Sequence, residues 1–250
     1  MQTDIFTHRS RGGQVGRAIL VPIMATCIAV SSIVGCGIPS YPSLIAPDTV
    51  LPTSPESGLE FTFLIPTEND DDIFEGFELY YKLYTGTQEA EGLIEAETDS
   101  IVDFAALQQA GFVSMIDAST SSGEAVRPVL PLSEAVENDS TIQLIIDFST
   151  IIAAEPSQFP EIVLEDIVTQ LARNRAVQGN QAVAAGFFTD DFAAADGDMP
   201  IGYDPESANP DDLRLYISMY ILSYGNDIPS LEFDIYSLPK YAGYIAIPGQ

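Results

Sequence analysis

Apolar residues recur at every second position in three stretches of the chain. Leu59, Phe61, Phe63 and Ile65 share one face of the run 59–65, and Phe77, Leu79, Tyr81 and Leu83 share one face of 77–84. Ile142, Leu144, Ile146 and Phe148 do the same in 141–149. This period of two marks half-buried strands, because successive side chains of an extended chain point to opposite sides. Pro66 and the acidic turn from Glu68 to Asp72 end the first run. Two aromatic and β-branched runs, Leu213–Tyr224 and Leu231–Ile247, read as further strands around the turn-like Gly225-Asn-Asp-Ile-Pro229.

Helical spacing is rarer. Ile101, Phe104, Ala105 and Leu107 form a stripe that Asp99 or Ser100 can cap and Gly111 can stop, which predicts one short helix. Glu161–Arg175 fits a helix through Ile162, Val163, Ile167, Val168 and Leu171, but its branched residues favour a strand. Strands at turn-separated intervals with few helices predict a mainly β fold, an antiparallel sandwich.

The first 57 residues follow a different pattern. Arg9, Arg11 and Arg17 make a basic start, and Ala18–Val34 is a run of 17 residues without charge. Gly35 and Cys36 follow, then a stretch punctuated by Pro39, Ser40, Pro42, Ser43, Pro47, Pro52 and Pro55. A positive start, an apolar run and a small residue before a cut read as a signal peptide, set apart from the fold. Ile33-Val34-Gly35-Cys36 resembles the lipobox of bacterial lipoproteins, with Ile where Leu is usual and Val34 bulkier than the usual Ala or Ser. The resemblance implies cleavage before Cys36 and lipidation of that cysteine, enough CH₂ groups for stable membrane anchoring at roughly 0.8 kcal/mol each. Two other readings stay open: an uncleaved anchor, since 17 residues lie at the short limit for spanning, and ordinary secretion. The organisation expected is a leader over 1–35, a lipidated Cys36 with a Pro/Ser-rich tether over 36–57, and a sandwich over 58–250 interrupted by an insertion at about 90–200.

The sandwich itself carries a second resemblance. The run Leu59–Ile65 followed by Phe74-Glu-Gly-Phe-Glu-Leu-Tyr-Tyr-Lys82 looks like the B and C strands of a fibronectin type III-like or immunoglobulin-like domain. Leu215–Tyr224 and Phe233–Tyr244 look like its F and G strands, and Ile235–Ile245 is similar to the ends of spirochaete-type lipoproteins. One departure is the complete absence of Trp, which such cores usually contain. A long insertion containing the short helix is a second.

Charge narrows the partners. Nine Lys+Arg stand against 37 Asp+Glu, a net charge of −28, and beyond residue 35 only six cations face 36 acids. Such a surface repels nucleic acid and anionic headgroups, so the expected membrane contact is through the lipid on Cys36 alone. Chemistry narrows too. The single histidine, His8, and Cys27 leave with the leader, and Cys36 is consumed by lipid. The remainder lacks the groups for a Ser-His-Asp or Cys-His mechanism or a His-ligated metal, and no cofactor is expected.

Three function classes survive. The first is a non-enzymatic binding, adhesion or scaffold module for an envelope or extracellular protein or glycan. Tyr80, Tyr84, Tyr216, Tyr220 and Tyr224 share strand parity and would form one outward aromatic stripe suited to recognition, unless the insertion covers that face. The second is a calcium-dependent binding domain, with oxygens from Asp70 and Asp72 beside Glu68 and Asp71, and from Asp196 and Asp198 beside Asp190 and Asp191. Against it stands the reading of both groups as solvated acidic turns. The third is a small glycoside hydrolase using two carboxylates.

An acidic excess with almost no Lys suits a secreted protein in salty surroundings, where screening relieves self-repulsion. The melting temperature is therefore expected to rise with NaCl concentration; a flat response would remove surface repulsion as a determinant of stability.

Overall fold

The three period-two runs become strands whose apolar faces meet between two antiparallel sheets. The computed structural model describes residues 43–49, 53–54, 58–66, 68–69, 72–119, 127–132, 143–152, 158–164, 167–176, 182–188, 191–207, 209, 213–227 and 233–247, all within the unit Pro42–Gln250. In the first sheet β1 (Asp48–Thr49), β2 (Glu60–Leu64), β7 (Gln143–Asp147), β8 (Glu161–Leu164), β9 (Ile167–Asn174) and β10 (Ala184–Ala185) follow one another, and β5 (Ile116–Asp117) also pairs with β9.

The second sheet is built on β3 (Phe74–Thr85) and β11 (Leu215–Asp227), registered from Leu215 opposite Thr85 to Gly225 opposite Phe74. The far side of β11 takes β13 (Lys240–Ile247) and then β12 (Phe233–Tyr236). The far side of β3 takes β4 (Val113–Ser114) and β6 (Leu130–Pro131). β3, β11 and β13 thus lie side by side. The first sheet is less conventional: β7 lies next to β2, but the strands beyond it, β8 and β9, come later in the chain than β7 rather than earlier.

Phe61, Phe63, Leu144 and Ile146 from the first sheet meet Phe77, Leu79, Tyr81 and Ile217 from the second in one core. The second sheet is covered on its other face as well. Helix α1 (Thr87–Thr98) lays Ala90 and Ile94 over Tyr84 and Tyr216, and α2 (Phe104–Gln109) lays Leu107 over Tyr80 and Tyr220. The first sheet instead turns Glu60, Thr62, Gln143 and Asp147 outward, so its strands keep a clean alternation.

Several expectations need correction. The stretch of about 90–200, expected as an insertion, supplies β4 to β10 to the two sheets. Within it, Met115 N–H donates to Leu79 O at 2.8 Å and Ala118 N–H to Gln170 O at 3.0 Å, so the chain passes from one sheet to the other between β4 and β5. The predicted helix is shorter, starting at Asp103, whose side chain accepts from Ala106 N–H at 2.7 Å. Gly225–Asp227 continue β11 instead of turning, held between Phe74 and Ile235. The run 231–247 divides into β12 and β13 at Ser237. Within Glu161–Arg175, Glu161–Leu164 and Ile167–Asn174 form strands, as the branched residues favour. Helix α1 was invisible in the pattern, since its sequence Thr-Gln-Glu-Ala-Glu-Gly-Leu-Ile-Glu-Ala-Glu-Thr contains few apolar residues.

The described parts of the expected tether, 43–49 and 53–54, dock on the sandwich. Leu44 and Thr53 are buried, β1 pairs with β2, and Ser223 Oγ donates to Ile45 O at 2.6 Å. Thr53 N–H donates to Ala242 O and Tyr244 N–H to Thr53 O, both at 2.8 Å, which seats the segment on Gly243. Gly243 has φ 111°, and a Cβ there would collide with the Thr53 backbone. Gly243→Ala should therefore cost about 2 kcal/mol or more, from left-handed strain plus the displaced segment, and is checked by urea unfolding.

Candidate functional site

Three clusters of polar side chains are built into the sandwich. The first surrounds Arg173, whose parity with Leu171 on β9 aims it inward. Its side chain is 0 % exposed and every nitrogen of the guanidinium has an acceptor. Nε donates to Gly186 O at 2.7 Å, and Nη2 to Asp191 O at 2.9 Å and Asp196 Oδ2 at 3.1 Å. Nη1 reaches both oxygens of Asp198 at 3.2 and 3.0 Å. The ring of Phe192 closes the other side at 4.2 Å from the guanidinium carbon.

Asp198 ties this cluster to the second sheet. Its Oδ2 accepts from the Tyr81 hydroxyl at 2.6 Å, and that hydroxyl accepts from Asn174 N–H at 3.0 Å. Burial raises the Asp198 carboxyl above its ordinary pKa, while the Arg173 charge and the Tyr81 hydroxyl act to lower it. Burial likewise raises Tyr81, with the Asp198 charge adding to it. A saturated, enclosed arginine of this kind fastens β9, the 186–199 segment and β3 together; it has no donor left for a ligand.

This arrangement corrects the calcium reading of Asp196 and Asp198. They are not free loop ligands, because the arginine occupies the site of positive charge. Asp72 lies in the turn before β3, and Asp70 and Asp71 fall outside the described residues, as do Asp190 and Cys36. Among the described residues no group of three His, Cys, Asp or Glu is placed to hold a metal ion. No helix among them is long and apolar enough to cross a membrane, and Ala18–Val34 lies outside them.

The second cluster is the tyrosine layer. The structure does bring Tyr80, Tyr84, Tyr216, Tyr220 and Tyr224 onto one face of β3 and β11, but none exceeds 5 % exposure. The expectation of an outward aromatic stripe is thus corrected in favour of the covered alternative. Phe112 packs edge-on against Tyr220 at 5.0 Å, and the Tyr84 hydroxyl donates to Glu97 Oε2 at 2.5 Å. Lys82 Nζ donates to Glu97 Oε1 at 2.6 Å and Ala110 O at 2.7 Å, joining both helices to the sheet. Burial raises the Tyr84 pKa, with Glu97 adding to it.

The third cluster extends this layer past its helices. Glu78 is buried beside Tyr80, with Arg127 facing it, and the Arg127 Nη1 donates to the Tyr236 hydroxyl and lies 3.8 Å from Asp234 Oδ2. Tyr224 O–H donates to Asp234 Oδ1 at 2.9 Å.

On the outer face of the first sheet the register sets Glu60 opposite Asp147 and Asp147 opposite Glu161, three carboxylates in a row across β2, β7 and β8. Ser149 N–H and Oγ donate to Asp147 at 2.7 and 2.8 Å, which satisfies part of that charge.

The sequence reading missed Arg173 and Glu78. Arg173 had a signal in the core-facing parity it shares with Leu171, whereas Glu78 had none, since β3 also carries the charges of Glu75 and Lys82. Asp198→Ala should destabilise the fold by about 3–5 kcal/mol in urea unfolding, since it leaves a buried guanidinium short of its counter-charge. Added Ca²⁺ should leave the melting temperature unchanged. Compared with family models, with curated proteins and with solved structures, the chain matches none.

Proposed function

We propose that the protein is an exported, lipid-anchored component of a bacterial cell envelope whose β-sandwich is a non-enzymatic binding, adhesion or scaffold module. The observation that carries this reading is the succession of a basic start, 17 uncharged residues and Ile33-Val34-Gly35-Cys36, running into a Pro/Ser-rich stretch and then a sandwich. Cys36 takes the lipid, and the immunoglobulin-like or fibronectin type III-like plan provides the exposed module. A binding role is supported by how the interior polar groups are used. Arg173 is saturated and the tyrosines are covered, and among the described residues the outer face of the first sheet offers polar side chains to a partner. Its row of Glu60, Asp147 and Glu161 suits a partner that presents positive charge.

Intact mass spectrometry of the protein extracted from its native membrane tests the anchor. The expected mature chain begins at an acylated Cys36, and Cys36→Ala should abolish both the lipid mass and membrane retention. A chain that keeps residues 1–35 without acyl mass would overturn the reading.

A further inference from the structure

Glu78 occupies an unusual place for a carboxyl group. It stands on β3 opposite Leu222, with 1 % of its surface exposed, on the face shared with Tyr80. The Val129 backbone N–H is directed at the carboxyl, yet Oε1 has no hydrogen-bond partner. The groups facing it come from three elements. Arg127 belongs to the segment leading into β6, Tyr80 to β3, and Asp234 and Tyr236 to β12. Tyr224 of β11 is bonded to Asp234, Glu75 of β3 lies near Tyr224, and α2 contributes the Phe104 ring, stacked on Tyr236 at 3.9 Å.

Segment 127–132 has one fixed end and one adjustable end. Val129 and Leu130 are buried in the core between the sheets, β6 pairs with Gly76 and Phe77, and Leu132 N–H donates to Glu75 O at 3.2 Å. Gly76, at φ 152°, has no Cβ to push Pro128 and Leu130 away. Arg127 is the other end, 34 % exposed, and reaches across to Tyr236 and Asp234.

We propose that the protonation state of Glu78 decides which partner Arg127 holds, and so whether the Arg127 end of this segment is fastened to β12 or drawn in against β3. With Glu78 protonated, the neutral carboxyl tolerates its burial and Arg127 stays on Tyr236 and Asp234. With Glu78 ionised, a buried oxygen without a partner requires a counter-charge, and Arg127 is the cation that faces it. The guanidinium turns inward, and Asp234 keeps only Tyr224.

Burial lifts the Glu78 pKa from 4.5 to about 7, against the opposing pull of Arg127. A carboxyl that holds its proton more tightly when folded favours the fold in acid. Its contribution is complete below about 4.5 and is lost as the pH rises to about 7.

The test is carboxyl ¹³C NMR on the intact protein, with the Glu78 signal assigned by its loss in Glu78→Gln, and thermal melts of both proteins from about pH 5 to about pH 8. The expected results are a Glu78 midpoint near 7, a melting temperature that falls across this range in the wild type, and a flatter profile in Glu78→Gln. The protection of the Arg127 and Val129 amides against hydrogen exchange, taken relative to the intrinsic exchange rate at each pH, should change with pH in the wild type and not in the variant. A Glu78 midpoint in the ordinary carboxylate range, or a variant displaced by the same amount at every pH, would overturn the proposal.

Discussion

The ladder between β3 and β11 is the constraint on which the rest of the domain depends, because neither of its faces is polar enough to meet water. One face carries Phe77, Leu79, Tyr81, Leu83, Ile217 and Met219, and the other Tyr80, Tyr84, Tyr216, Tyr220 and Leu222. The first face is covered by the first sheet of the sandwich. The second face needs its own cover, and two short helices that would be marginal alone are held in place by that demand. The aromatic hydroxyls make the cover specific, since Tyr84 is satisfied through Glu97 on α1 and Glu97 also takes the ammonium of Lys82. Helix α1 is therefore a consequence of the strand pair and of little else in its own sequence.

Scarce positive charge is spent on architecture. Of the six cations beyond residue 35, four form ion pairs among the described residues: Lys82 with Glu97, Arg127 with Asp234, Arg173 with Asp196 and Asp198, and Lys240 with Asp48. The exposed Lys240 pair contributes little in water. Arg173 differs in kind, because its guanidinium is sealed from solvent and its loss of hydration is offset only by the complete set of acceptors around it. A domain so acid-rich uses its cations as internal fasteners, and its outside is left strongly negative.

The strands with one solvated face were legible, because alternation survives where one side stays wet: β2 and β7 show it plainly. The β3 strand shows one apolar parity, and the opposite parity of tyrosines is compatible with a surface or with a covered layer, because nothing in residues 87–98 announces a covering helix. A strand buried on both faces loses its alternation, and the helix that covers it can be nearly all polar. The acidic residues Asp191, Asp196 and Asp198 fit either a calcium loop or a solvated turn in the sequence, for a related reason. Clustered carboxylates imply a cation, and here the cation is an arginine some twenty residues earlier in a hydrophobic strand, a pairing that only the fold creates. Short bridging pieces such as β4, β5 and β6 had no pattern to read, since two residues are too few for any period.

The segments 43–49 and 53–54 belong to the sandwich rather than to a linker. Leu44 is buried, β1 adds to the edge of the first sheet beside β2, and Thr53 bonds to Ala242 and Tyr244 in β13 of the second. Residues close together in the chain thus hold an edge strand of each sheet, so this short stretch works as a strap that resists the two layers sliding apart.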